Sequence, residues 1–226
     1  MNPDIISALR QKELRKYDKA YFFTEYWKED IPGKRGNGGR SYDDPEHAAR
    51  FAMLASALEG AIAYDSLLDV GCGPGFLLQA LTSKGRRLAG IDASPDAIDL
   101  ARQAISGGAL REKTELSVAL CSDLPFADKS FDAVVCLDVL EHLLVFDVHA
   151  AISEMVRVCG KHLVLSINSD NPYFYHPTIL SPDTWRAILS SHASLTVNEE
   201  LEAAFAAGVV TRRDEYSFYC YSVAST

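Results

Sequence analysis

The sequence predicts an α/β protein: a doubly wound, Rossmann-like, seven-stranded mixed sheet with an antiparallel last strand and an N-terminal helical cap. Three observations carry this. Apolar strand-like runs alternate with helical patterns from residue 66 to about 192. The first run enters a glycine turn, LLDVGCGPGFLLQAL, from Leu67 to Leu81. Near the end the alternation lapses into two strand-like runs with no clear helix between them. The 226 residues, 48% hydrophobic and 23% charged, suit one globular domain with a sizeable core.

Taken in order, residues 4–27 alternate charges with Ile5, Leu9, Leu14, Tyr17, Tyr21 and Phe22, which suits one or two amphipathic helices. PGKRGNGGR, Pro32 to Arg40, reads as a connecting loop or a lid. A helix follows, capped by Asp44, with Pro45 in its first turn and Gly60 at its end. Residues 1–60 form the cap and loop, and 61–226 the core of the same domain. SLLDVG from Ser66 is a buried strand, and Phe76 to Lys84 a helix closed by Gly85. Residues 87–92 are the second strand, and 94–105 a helix with Ser94 as cap. Strands at 115–120, 131–138 and 161–168 complete the parallel part, with a helix over 147–158. Ser181 caps a helix over 181–192, and 194–201 and 216–224 are the closing pair of strands.

The net charge of −9 argues against bulk nucleic acid as a partner, although Lys34, Arg35 and Arg40 make a small basic cluster. Five cysteines without CxxC spacing read as reduced thiols of a cytoplasmic protein. The first residues lack the apolar core of a signal peptide, and no stretch approaches ~18 uninterrupted apolar residues, so no membrane span is expected.

A doubly wound sheet binds ligands at the carboxyl ends of its strands, so the turn at 71–75 faces the ligand. No Lys-Ser or Lys-Thr follows Gly75, which excludes a phosphate loop. A dinucleotide fingerprint counted from Gly71 needs glycine where Phe76 stands. Asp69, just before the turn, would repel a pyrophosphate and suits an ammonium group. Asp92, about 20 residues beyond the glycines, suits two ribose hydroxyls, and Asp123 with Leu124 an adenine. The ligand so described has adenine, ribose and an amino-acid tail.

LLDVGCGPG, GIDASPDAI, SDLPFADKSFDAVVCLDVLEHL and ISEMVRVCGKHLVLS, in this order, resemble the motifs of class I S-adenosylmethionine-dependent methyltransferases over about residues 64–170. RVCGKHLVLS departs from the Lys-Pro-Gly-Gly turn of many relatives, at a place remote from the chemistry. The resemblance implies S-adenosylmethionine as cofactor and S-adenosylhomocysteine as its product. It implies that Gly71, Gly73 and Gly75 line the methionine part, Asp92 with Ala93 the ribose, and Asp123 with Leu124 the adenine. Asp69 and Asp138 join this set, together with Tyr21 and Trp27 from the N-terminal cover, where Tyr26 is a further candidate. Arg40 is the candidate for the cofactor carboxylate.

Methyl transfer from a sulfonium needs alignment of the acceptor and, for a hydroxyl, a base. A helical turn begun at Asp138 would bring Asp138, Glu141 and His142 to one face. His142 is the candidate base, supported by Glu141 and by His176 after the fifth strand. The stretch is also similar to the E-x-x-E-H pattern of ubiquinone-biosynthesis O-methyltransferases and small-RNA 2′-O-methyltransferases. That likeness implies a site for Mg²⁺ or Zn²⁺ from Asp138, Glu141, His142 and His176, with Asp138 a shortened arm. His47, His149, His162 and His192 are given no role.

Asn171 to Pro177 and the segment around Phe205 are candidates for an acceptor wall. A small-molecule acceptor is expected, a hydroxyl first and an amine or carboxylate next, in a monomer or homodimer. The rivals are an RNA or protein methyltransferase, a silent scaffold that keeps the fold, and a dehydrogenase, which Phe76 disfavours.

Overall fold

The computed structural model describes residues 3–23, 45–81, 86–106, 113–169, 176–208 and 216–224. Seven strands form one sheet: β1 (Ser66–Val70), β2 (Arg87–Asp92), β3 (Thr114–Val118), β4 (Phe131–Leu137), β5 (Cys159–Asn168), β6 (Leu195–Val197) and β7 (Tyr216–Val223), in the order β3-β2-β1-β4-β5-β7-β6. The first five are parallel, and β7 lies antiparallel between β5 and β6. The expected mixed sheet is therefore present. Strand order reverses between β1 and β4, so the crevice at their carboxyl ends is the place where such a sheet takes a ligand.

Eight helices accompany the sheet among the described residues. They are α1 (Pro3–Leu14), α2 (Lys19–Phe23), α3 (Pro45–Ala61), α4 (Phe76–Ala80), α5 (Pro95–Ala104), α6 (Val145–Val158), α7 (Pro182–Ser190) and α8 (Glu199–Gly208). Alternation along each strand divides the core into two layers. Leu67, Leu88, Ala133, Val135 and Val164 pack beneath Leu54 and Leu58 of α3, Leu77 and Leu78 of α4, and Leu201 and Phe205 of α8. Their neighbours Leu68, Ala89, Val134, Leu163 and Leu165 face the other way, against Ile152 and Met155 of α6 and Trp185 and Leu189 of α7. Helix α3 thus helps cover the sheet. The helix starts are local chemistry: the Ser94 and Ser181 hydroxyls accept from the amides of Ala97 and Thr184, each before a proline at the first helical position.

Several boundaries differ from expectation. Gly60 lies inside α3. Helix α4 stops at Ala80, because Leu81 turns extended. Strand β3 starts one residue earlier and ends at Val118, so its turn begins sooner. The run expected as a strand over 194–201 keeps only Leu195–Val197. Asn198 then accepts from the Leu201 amide (3.0 Å) and starts α8, with Glu199, Glu200 and Glu202 in its first turn, where acids complement the helix dipole. Asp44, Gly85, Tyr26, Trp27, Lys34, Arg35, Arg40 and residues 171–175 lie outside the described residues. No described helix is long and apolar enough to cross a membrane. All five cysteines are free thiols, four buried and Cys121 half-buried.

Candidate active site

The carboxyl ends of β1, β2, β4 and β5 and the turn after β3 open into one cleft of about 230 Å³, roofed by α1, α2 and the start of α3. Its floor is the glycine turn. Gly71 follows β1 with φ +75°, and its amide bonds the Ile91 carbonyl at 2.8 Å. A Cβ there would stand 2.3 Å from Val139 Cγ2, so glycine is required twice over, for its dihedral and for its space. Gly73 lines the cleft under Phe22. Gly75, expected on the cofactor, does not line it. With φ +81° it opens α4, and a Cβ would press on Ala101 and Ile105 of α5 at 3.2 and 3.3 Å. Its part is to seat helix on helix.

Asp92 ties this turn together. Its two carboxylate oxygens accept from the amides of Gly73 (3.0 Å) and Ser94 (2.8 Å). Burial nevertheless raises its pKa, outweighing the amide bonds of Ser94, Gly73 and Ala93. Asp69 is buried beside it, and burial with the neighbouring Asp92 charge pushes its pKa up to about 8. Two carboxyls in one closed crevice favour a cationic ligand, whose charge would relieve both. Asp69, Asp92, Ala93 and Tyr21 all line the cleft.

Asp123 and Leu124, expected on the adenine, do not line the cleft. Asp123 is exposed, and Leu124 is buried in the core with its amide donating to Glu154 (2.8 Å). Leu120, Cys121 and Ser122 line the cleft instead. The reason is the tight turn in which the Asp123 amide bonds the Leu120 carbonyl (3.1 Å), carrying Asp123 past the mouth.

The far wall comes from the end of β4. Asp138 does not begin a helical turn: its φ is +57°, and a 3-10 turn follows over Leu140–His142. This sparsely populated backbone is held from three sides. The Asp138 amide donates to the Ser166 carbonyl (2.9 Å), Ser166 Oγ donates to its carboxylate, and Arg50 Nη2 pairs with it at 2.7 Å. Glu141 is fully buried. Its Oε1 accepts from the Asn168 amide (3.0 Å), while Oε2 has no hydrogen-bond partner among the described residues. Burial and then the Asp138 charge hold the Glu141 carboxyl well above the usual range.

His142 and His176 meet edge to face, with ring centroids 4.5 Å apart. Two hydrogen bonds from Thr178 hold the two segments together. The Thr178 amide donates to the Glu141 carbonyl (3.2 Å), and the Thr178 hydroxyl to that of Leu143 (2.6 Å). Glu141, His142 and His176 each offer a ligand atom, all within 4.8 Å of one another. Asp138, expected as a fourth ligand, is outside that group and is committed to Arg50 and Ser166. Of the expected acceptor wall, His176 lines the cleft, and Phe205 is buried in the α3–α8 layer.

Sequence reasoning gave no place here to Arg50, His47 or Tyr17. Arg50 and His47 stand one helical turn apart on α3, at the edge of the roof. That spacing, following Asp44 and Pro45, was the available signal. Tyr17 is hydrogen-bonded to His142 Nδ1 at 3.0 Å.

Residues 68–165 match the family model described as a methyltransferase domain. The matched stretch runs from β1 into β5 and takes in the glycine turn, Asp69 and Asp92. Over 137 residues the chain is 34% identical to the ubiquinone biosynthesis O-methyltransferase of Alkalilimnicola ehrlichii, covering 58% of this chain and 51% of that one. Over 121 residues it is 33% identical to the norajmaline N-methyltransferase of Rauvolfia serpentina, covering 50% and 41%. The chain spans about half the length of the curated relatives it matches. In fold it is similar to magnesium protoporphyrin IX methyltransferase from Synechocystis PCC 6803 with bound S-adenosylmethionine, with TM-score 0.65, 18% identity, and 94% and 97% of the two chains covered. It is also similar to geranyl diphosphate C-methyltransferase from Streptomyces coelicolor, with TM-score 0.56, 17% identity, and 76% and 75% covered.

Proposed function

We propose that the protein transfers the methyl group of S-adenosylmethionine to a hydroxyl oxygen of a small molecule. The observation that carries this is the single cleft with Asp69, Asp92 and the glycine turn on one wall and Glu141, His142 and His176 on the other. Asp69 and Asp92 take the cationic amino-acid tail and the ribose, and the half-exposed face of Leu120 to Ser122 receives the adenine. His142 takes the proton of the acceptor hydroxyl. The oxygen then forms its bond to the methyl carbon as the carbon–sulfur bond breaks, and the bonding pair leaves on sulfur, giving S-adenosylhomocysteine. Glu141, whose burial disfavours the ionised form, orients rather than deprotonates. A small acceptor is supported by the cleft's modest size and by the net charge of −9.

A second reading has one specific observation in its favour. The unpartnered Glu141 Oε2 and the clustering with His142 and His176 fit a divalent cation, Mg²⁺ or Zn²⁺. A cation held by those three would lower the pKa of a bound hydroxyl. The test is titration calorimetry with S-adenosylmethionine, then turnover of a panel of phenols, catechols and amines. Micromolar binding with methyl transfer to oxygen is expected, and no binding at millimolar cofactor would overturn the reading. Full turnover in excess chelator supports His142 acting alone, and loss restored by Mg²⁺ or Zn²⁺ supports the cation.

A further inference from the structure

The N-terminal arm of this chain enters the wall that holds the candidate base. Tyr17 follows α1, and its hydroxyl lies 3.0 Å from His142 Nδ1, across a sequence separation of 125 residues. The two rings also meet edge to face at 5.6 Å, and Tyr17 meets Tyr21 in the same way at 4.9 Å. The arm is fastened on both sides of this contact. Before it, Arg10 Nε lies 3.0 Å from each carboxylate oxygen of Asp147, in the first turn of α6. After it, Ser94 Oγ donates to the Tyr17 carbonyl, and the Lys19 amide donates to Asp96 (2.9 Å) in the first turn of α5. Tyr21 and Phe22 are then buried on Ala97. The same Ser94 donates its amide to Asp92, so the arm is tied to the carboxylate assigned to the ribose and to the imidazole assigned to the acceptor.

We infer that Tyr17 is a positioning residue for His142, so that closure of the arm over the cofactor and orientation of the imidazole are one event. The inference rests on the reading of His142 as the group that meets the acceptor. An imidazole held at one nitrogen has a fixed tautomer and ring plane; without that hold it samples several. With Nδ1–H donating to the Tyr17 oxygen, Nε2 is the nitrogen that receives the acceptor's proton. When the arm lifts to exchange cofactor, Tyr17 withdraws and that setting is lost. The catalytic wall is thus assembled only while cofactor is covered, which keeps the methyl group from chance nucleophiles.

The decisive variant is Tyr17→Phe, which keeps the ring contacts and removes the hydroxyl. We expect kcat to fall ~10-fold while the KM and Kd for S-adenosylmethionine stay within ~2-fold, because an interaction that acts only on the reacting geometry lowers kcat alone. Nitrogen-15 correlation spectra of the resting protein, with His142 assigned by His142→Gln, are expected to show one tautomer in the parent and an averaged pair in Tyr17→Phe. Unchanged kcat and an unchanged His142 signature would overturn the inference. So would an equal loss of cofactor affinity and no loss of kcat, which would make Tyr17 packing alone. The His142 reading fails separately, if His142→Gln retains full turnover; the spectra still report on the Tyr17 contact in that event.

Discussion

Asp69 and Asp92 close neighbouring parallel strands, and the charge of Asp92 helps hold Asp69 protonated near neutrality. The folded-state pKa of Asp69, about 8, stands above the ordinary 3.8. The folded protein keeps a proton there that the unfolded chain has released. This carboxyl's contribution to stability is therefore complete below about pH 4 and is lost as pH rises through about 8. A cationic ligand favours the ionised form. Affinity for S-adenosylmethionine is expected to rise between about pH 6 and 8 and then level, with proton uptake by buffer on binding at pH 7. Calorimetry in two buffers of different ionisation enthalpy checks this, and Asp69→Asn should abolish the proton release. Equal heats in both buffers would refute it.

Asp92→Ala removes a carboxylate that two loop amides share with the expected ribose. Hydrogen bonds to a charged acceptor are worth ~1.5–3 kcal/mol, so cofactor affinity should fall by roughly 10- to 100-fold. Unchanged affinity would remove Asp92 from the binding site.

Gly71→Ala places a methyl group 2.3 Å from Val139 Cγ2 on a backbone with φ +75°. Left-handed strain of ~1–2 kcal/mol and overpacking of ~1–3 kcal/mol predict a loss of about 2–5 kcal/mol in chemical denaturation. A loss under about 0.5 kcal/mol would mean that the two turns can part without cost.

Arg157 touches nothing in the cleft yet steadies one edge of it. Its guanidinium pairs with Glu154 and Asp128 and donates to the carbonyls of Leu124 and Phe126, while Glu154 accepts from the Leu124 amide. Arg157→Ala is expected to cost about 1–2 kcal/mol of stability, discounted for its partial exposure, and to weaken cofactor binding through the loosened turn over 120–124. Thermal denaturation with and without cofactor measures both effects. A stability loss with affinity intact would confine Arg157 to holding α6.

What was legible in the sequence was mostly local. Ser94-Pro95 and Ser181-Pro182 announce helix starts because cap and proline act within one turn. The glycine turn and Asp92 could be read because a parallel sheet sends every strand's end to the same side. Asp123 and Leu124 stand outside the cleft lining because position after a strand does not say which way a tight turn aims its side chains. Helix α8 was missed although Asn198 and three acids signalled it, since Leu195, Val197 and Leu201 also alternate like a strand. The contacts of Tyr17 with His142 and Arg10 with Asp147 join residues more than a hundred positions apart, and no spacing rule reaches that far.

The place of β7 between β5 and β6 bears on the order in which the molecule can be built. Strand β6 and helix α8 precede β7 along the chain, but β6 is joined to the sheet only through β7. During synthesis β5 must wait with a bare hydrogen-bonding edge while β6 and α8 emerge with nothing to pair. An open parallel sheet in that state is a template for a stray strand. The vulnerable moment in the life of this protein is therefore the interval before Tyr216–Val223 slots in. Lesions in that strand are expected to appear as aggregates during production more than as altered behaviour of the folded protein.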